Sequence, residues 1–180
     1  VAAALAVRMD KATKMTLLID IGTNGELVVG TKDSMSSASC AAGPAFEGAR
    51  ISCGSRAMEG AIERVAFDEK SQDIVIKTIG GKPAASLCGS GLIDAVGVLL
   101  ELGVIDESGR MLTPDDAEQM PEKIRARMLE VDGQGAFILA RDGQDVILTQ
   151  RDIREVQLAK AAIRAGIKTL QAKAGVSDLD

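Results

Sequence analysis

The rhythm of apolar and polar positions divides the chain into strand-like and helix-like stretches. Leu17-Leu18-Ile19-Asp20-Ile21 and Glu26-Leu27-Val28-Val29-Gly30 are short apolar runs with β-branched members, joined by Gly22-Thr23-Asn24-Gly25. That arrangement predicts a hairpin of two buried strands around a tight polar turn. Residues 61–67 and 74–79 alternate in the strand period and flank the polar connector Asp68-Glu69-Lys70-Ser71-Gln72-Asp73, which predicts a second antiparallel pair. Residues 135–140 and 145–148, separated by Arg141-Asp142-Gly143-Gln144, predict another hairpin, with Asp142-Gly143 as its turn pair. Met35 to Cys40 is a small-residue stretch suited to an edge strand.

Two stretches carry a helical pattern. Leu92 to Leu102 is almost continuously apolar, long enough for a largely buried helix, with Ser90 as its expected cap and Gly103 as its stop. Ile153, Val156, Ile163, Ile167, Leu170 and Ala174 form one apolar stripe, opened by a Thr149/Asp152 capping box and closed by Gly175. Lys160 interrupts that stripe, either as a snorkelling side chain or as a cation facing a cleft. Thr113-Pro114-Asp115-Asp116 is a helix start whose helix should restart near Pro121, with Lys123, Arg125, Arg127 and Glu130 on a solvated face. Pro44 suits the first position of a short helix inside the small-residue segment Cys40 to Arg50. Val1 to Met9 reads as the end of a helix that begins further upstream, and Val176 to Asp180 as the approach to another strand. Together these elements predict a mixed α/β fold in one compact unit, helices packed on a partly antiparallel sheet.

Composition narrows the chemistry. With 46% hydrophobic and 26% charged residues in 180, the chain has globular proportions and enough apolar material for a core. No apolar run approaches the roughly 18 residues that cross a bilayer. A net charge of −5 without a basic block argues against nucleic acid or an anionic membrane as partner. Cys40, Cys53 and Cys88 are odd in number and not in a CxxC arrangement, so a cytoplasmic protein without a disulfide framework is expected. Histidine is absent, which removes the commonest general base and any Ser-His-Asp triad. Carboxylates, backbone amides and bound ions are left to carry the chemistry.

Two glycine-rich segments are candidates. At Gly22-Thr23-Asn24-Gly25 successive N–H groups would point into one concavity open to an anion, with Asp20 placed to hold a hydrated Mg²⁺; an ordinary hairpin with a capping aspartate is the competing reading. At Cys88-Gly89-Ser90-Gly91 the start of a helix offers free donors and the positive dipole end, yet Gly89 and Gly91 would equally serve close packing.

Asp20-Ile21-Gly22-Thr23-Asn24-Gly25-Glu26 resembles a phosphate motif of the superfamily that joins acetate and sugar kinases, the heat-shock chaperone ATPase and actin. Three further segments, Ala41 to Ala49, Cys88 to Ala95 and Thr149 to Lys160, resemble in order the C-terminal domain of the reductive activators of corrinoid-dependent enzymes. The resemblance implies a nucleotide-binding part of an ATP-dependent protein that returns an inactive cob(II) corrinoid to the cob(I) state for methyl transfer. It implies ATP and Mg²⁺ as ligands, an iron–sulfur cluster in another domain, and a corrinoid protein or methyltransferase as partner; a homodimer is compatible with it. By the family pattern Gly22, Thr23, Asn24 and Gly25 would contact phosphates or the Mg²⁺ shell, with Asp20 on the metal. Glu26 would orient water or serve the strand. The chain resembles the second lobe of an actin-like ATPase domain over residues 1–180, truncated at both ends, so its phosphate turn would be one jaw of a clamp. Three alternatives stay open, one of them a degenerate domain that only docks partners or dimerises. An activator of radical dehydratases would use Cys40 at a bridging cluster, and a small-molecule kinase would need an acceptor pocket.

Overall fold

The computed structural model describes residues 1–142 and 144–176, so Gly143 of the expected turn pair and most of the stretch Val176 to Asp180 lie outside the described residues. The fold is mixed α/β, and among the described residues its strands form three three-stranded sheets. The chain divides into two compact units, Val1–Pro44 with Leu158–Asp180, and Ala45–Gln157.

The first unit opens with a short helix, α1 (Ala2–Ala6), and an antiparallel sheet of β1 (Thr16–Ile21), β2 (Gly25–Gly30) and β3 (Met35–Cys40) in that order. The strand alternation sets which side is buried. In register, Leu17 faces Val29 and Leu27 faces Ala38, and these residues share one side of the sheet. They pack with Ile163, Ile167, Leu170 and Ala174 of the long helix α4 (Gln150–Ala174). Gly166 permits the approach, since a Cβ there would stand 2.6 Å from Leu27 Cδ1. The opposite side of the sheet carries Leu18, Asp20, Glu26 and Val28.

The second unit contains β4 (Ala61–Asp68) and β5 (Asp73–Thr78), antiparallel, with the short β6 (Ser86–Leu87) parallel to β4. Helix α2 (Gly89–Glu101) packs on this sheet through Leu92, Ala95 and Leu99 and ends at Gly103, whose φ of 74° is the left-handed stop expected from sequence. Its N-cap is Cys88, not Ser90. Ser90 already lies inside the first turn, which excludes it as the cap, and its hydroxyl donates to Glu63 O at 2.9 Å. The Thr113/Asp116 capping box is present but opens only a single turn, Pro114–Asp116, before α3 (Glu122–Arg125) restarts after Pro121.

The third sheet, β7 (Met128–Val131), β8 (Gln134–Asp142) and β9 (Gln144–Thr149), adds a strand that the polar pattern concealed. Asp132 and Gly133, at φ 51° and 75°, make the turn between β7 and β8. Arg127 consequently does not belong to a solvated face. Its guanidinium grips the Asp73 carboxylate at 2.7 and 3.0 Å and donates to the carbonyls of Ile138 and Leu139. That fork holds the Asp73 carboxyl below the ordinary carboxylate range, helped by the Ile74 amide. Ile153 and Val156, at the start of α4, join the core around Phe137, Leu139 and Leu148. Along α4 the apolar stripe is continued by the fully buried Ala159, so Lys160 stands beside it and is exposed.

Candidate functional site

The register of the first hairpin decides what its turn presents. Ile21 pairs with Gly25, leaving Gly22, Thr23 and Asn24 as the loop, closed by Gly22 N–H to Asn24 O at 3.1 Å. Gly43, at φ 78°, follows β3 and donates its N–H to Thr23 O at 2.9 Å, which ties the tip to the neighbouring loop. Only glycine takes that conformation without strain. Gly25 is buried and has no room for a side chain: a Cβ there would stand 2.7 Å from Cys40 Sγ, which would have to move away. Thr23 and Asn24 are exposed.

Directly below the loop, Asp20 and Glu26 are cross-strand partners on the same face, and both are exposed. Neither carboxylate has an ion pair or hydrogen bond among the described residues. Like charges directly opposite in a sheet are unfavourable, so this pair costs stability unless a cation neutralises it. Mg²⁺ suits such a place, because it binds through one or two carboxylates, keeps several waters and takes its remaining ligands from phosphates. No group of three or more metal-ligating side chains occurs among the described residues, so a dedicated all-protein metal cage is not what these residues build. The donor set fits a metal that arrives with an anion.

The other glycine-rich segment has a different basis. A Cβ on Gly89 would meet Phe46 O at 2.0 Å, and one on Gly91 would meet Ile62 O at 2.2 Å. Backbone atoms cannot yield as side-chain tips do, so close packing accounts for both glycines. The start of α2 has no side-chain cap, which leaves backbone donors in its first turn. The hairpin thus gathers Asp20, Gly22, Thr23, Asn24, Gly25 and Glu26 in the first unit, while Gly89, Ser90 and Gly91 belong to the second.

Each cysteine is used locally. Cys40 Sγ donates to Gly25 O at 3.3 Å, Cys88 Sγ donates to Ile62 O at 3.3 Å, and Cys53 Sγ accepts from Ile147 N at 3.4 Å; all three thiols are free. Cys40 lies on the sheet face that packs with α4.

Sequence reasoning anticipates the Thr149/Asp152 box but not its partner. The fully buried Asp152 carboxylate accepts from Thr149 N, Thr149 Oγ1, Ser52 N and Ser52 Oγ at 2.8 to 3.1 Å, fixing the Ser52 loop on the start of α4. Gln150, also buried, accepts from Met111 N at 2.7 Å and donates to Gly109 O at 2.8 Å. Nothing in the spacing of Ser52 or Met111 announces these contacts: Ser52 lies 100 positions from Asp152, and Met111 lies 39 from Gln150.

Residues 14–180 match the family described as the C-terminal domain of RACo, the ASKHA domain. Among curated proteins the chain is 39% identical over 181 residues to the corrinoid activation enzyme RamQ of Eubacterium limosum, covering 98% of this chain and 30% of that protein. Among solved structures it is similar to a reductive activator for corrinoid, iron-sulfur protein, with a TM-score of 0.81, 39% identity, and coverage of 97% of this chain and 27% of that one. The chain therefore spans less than a third of the length of either relative. With its hairpin, its mixed α/β fold and nearly its whole length accounted for by that match, the chain belongs to the family of C-terminal ASKHA domains of RACo.

Proposed function

We propose that this chain is the nucleotide-binding part of an ATP-dependent reductive activator, and that its phosphate grip is the Gly22–Gly25 loop with Asp20 beneath it. The observation that carries the reading is the register pair Asp20 and Glu26, two exposed and unneutralised carboxylates under a glycine-bracketed loop. Asp20 would hold Mg²⁺ through its water shell, and Glu26 on the same face would add charge or orient a water. Gly22, Thr23, Asn24 and Gly25 would surround the phosphate oxygens, the Gly22 N–H staying in the loop-closing bond to Asn24 O. ATP, when bound, supplies a polyanion whose charge these groups neutralise, so the contribution of this chain is positioning rather than covalent catalysis. Gly89, Ser90 and Gly91 enter this reading only through the uncapped amides at the start of α2.

The redox partner follows from the relatives, which are named for corrinoid activation and for a corrinoid, iron-sulfur protein. On this reading an iron–sulfur cluster in another domain would supply the one electron that returns cob(II) to cob(I) on a corrinoid protein or methyltransferase. Three free thiols suit a reducing cytoplasm, and no helix among the described residues is long and apolar enough to cross a membrane. The test is ATP-dependent reactivation in a full-length activator carrying this chain, followed through the cob(II) and cob(I) absorption bands. Asp20→Asn should abolish the ATP dependence; unchanged reactivation and unchanged ATP affinity would overturn the assignment of Asp20.

A dehydratase-type activator would need Cys40 turned toward a cluster, whereas its thiol is bonded to Gly25 O and lies on the face packed with α4. An iron assay on anaerobically prepared protein would separate the two readings. Phosphoryl transfer to any small acceptor would favour the kinase alternative.

A further inference from the structure

The second unit holds a cavity of about 370 Å³ that the nucleotide reading does not use. Its walls include Arg110 and Arg154, the hydroxyl-bearing Ser108 and Thr113, and the turn Gly133-Gln134-Gly135. No carboxylate among the described residues lines it, although the chain as a whole carries a net charge of −5.

The two arginines are held in place by bonds that leave donors over. Arg154 Nη1 donates to Ser108 O at 3.3 Å and to Gln157 Oε1, while Gln157 Nε2 reaches the same Ser108 carbonyl at 2.9 Å. Nε and Nη2 of Arg154 have no partner among the described residues. Arg110 donates from Nη2 to Asp116 at 2.6 Å, and its Nε and Nη1 are likewise unengaged there. The nearby acids are engaged by the cavity's own wall residues. Asp106 accepts from Ser108 N, Ser108 Oγ and Arg110 N, and Asp116 accepts from Thr113 N and Oγ1 as well as from Arg110. Hydrogen bonds from Ser108 and Thr113 respectively hold both carboxyls below the ordinary range, so both stay ionised acceptors at neutral pH. Gln150, only 6% exposed, also lines the cavity, with both ends of its amide locked to backbone.

Two hydrogen-bonded guanidinium groups with donors to spare, and no lining acid among the described residues, are the groups that suit an oxyanion. We propose that this cavity binds an oxyanion, phosphoryl or carboxylate, carried by a small polar molecule, with Arg154 as the principal contact and Arg110 as the second. The inference does not rest on the nucleotide reading, because the residues involved share nothing with the Gly22–Gly25 loop.

The test is an amide NMR titration of the ¹⁵N-labelled chain with inorganic phosphate, with succinate as the carboxylate arm and chloride at matched ionic strength as control. The expected result is saturable movement of the Ser108, Gly133, Gln134 and Gly135 signals with phosphate, succinate or both, the stronger arm naming the source. Arg154→Gln should weaken that binding roughly tenfold, the loss of about one charge-assisted bond. Arg154→Lys, which keeps the charge but not the fork, serves if the glutamine variant does not fold, and should still weaken binding measurably. Movement reproduced by chloride, no saturable movement, or equal affinity in the variant that folds would overturn the proposal. Phosphate binding at the hairpin would move the Gly22–Gly25 signals and be indifferent to Arg154, so the two sites report separately.

Discussion

The hairpin loop at Gly22–Gly25 and the helix start at Cys88–Gly91 present the same sequence signature, glycines bracketing small polar residues after an apolar run. Their surroundings differ. At the helix start the backbone of Phe46 and Ile62 occupies the space a side chain would need, and the Ser90 hydroxyl is engaged by Glu63 O. At the hairpin two carboxylates stand opposite each other in register, exposed and without a protein cation among the described residues. One set of residues is explained by what it touches inside the protein; the other is not, and the phosphate grip proposed for it rests on that difference. Glycine richness does not separate a packing device from a ligand cradle, whereas the accounting of charge and contact does.

The sharpest way to break this contrast is on α2. Gly91→Ala should cost about 3 kcal/mol in denaturant unfolding, because its Cβ would overlap the Ile62 carbonyl and backbone would have to shift. A loss under about 1 kcal/mol would mean that packing does not explain the glycine.

The next effect tests whether charge in the second unit is satisfied internally, as contact there is. Asp73→Asn should destabilise by about 2 kcal/mol at neutral pH, since it removes the ionised half of a half-buried fork with Arg127. Because folding lowers the Asp73 pKa below 3.8, its contribution is present above that value and is lost as pH falls through the lower folded value. The difference between wild type and variant should therefore shrink in unfolding curves taken at progressively more acid pH, and a constant difference would contradict the pairing.

A smaller and opposite effect is expected on the same helix at Gly97, where a Cβ would meet nothing within 4 Å. Gly97→Ala should stabilise by about 1 kcal/mol through helix propensity alone, which serves as a control for Gly91→Ala. The smallest effect belongs to the hairpin. Asp20→Asn should leave ligand-free stability within about 0.5 kcal/mol, on the favourable side, because it relieves repulsion with Glu26. A large loss in thermal or chemical unfolding would make Asp20 a structural residue and erase the contrast.

Much of the fold is legible in the sequence because burial imposes a period. The alternation in residues 61–67 and 74–79 and the stripe from Ile153 to Ala174 are the sequence record of surfaces facing a core, and they form β4, β5 and α4. What escapes is short or depends on distant partners. β7 is four residues long, and Lys123, Arg125, Arg127 and Glu130 around it look like one solvated face. Its signal is the Asp132-Gly133 pair, which has the turn chemistry of a hairpin. The fork from Arg127 to Asp73 spans 54 positions, and no local pattern encodes such a partner. Ser90 resembles a cap in sequence but is not one, because the helix already begins at Gly89 and Ser90 stands inside its first turn, its hydroxyl donating to Glu63 O of β4. At the candidate site the loop and Asp20 are readable as a motif, but the standing of Glu26 requires the register, since only pairing places it opposite Asp20.

Whether the Gly22–Gly25 loop and Asp20 form a phosphate and Mg²⁺ grip is measured most directly by an amide NMR titration of this chain with Mg²⁺ and ATP, compared between wild type and Asp20→Asn. The predicted result is Mg²⁺-dependent movement of the Gly22, Thr23, Asn24 and Gly25 signals that the Asp20 substitution removes. Movement confined to other residues, or movement of these four that neither Mg²⁺ nor Asp20 affects, would contradict it.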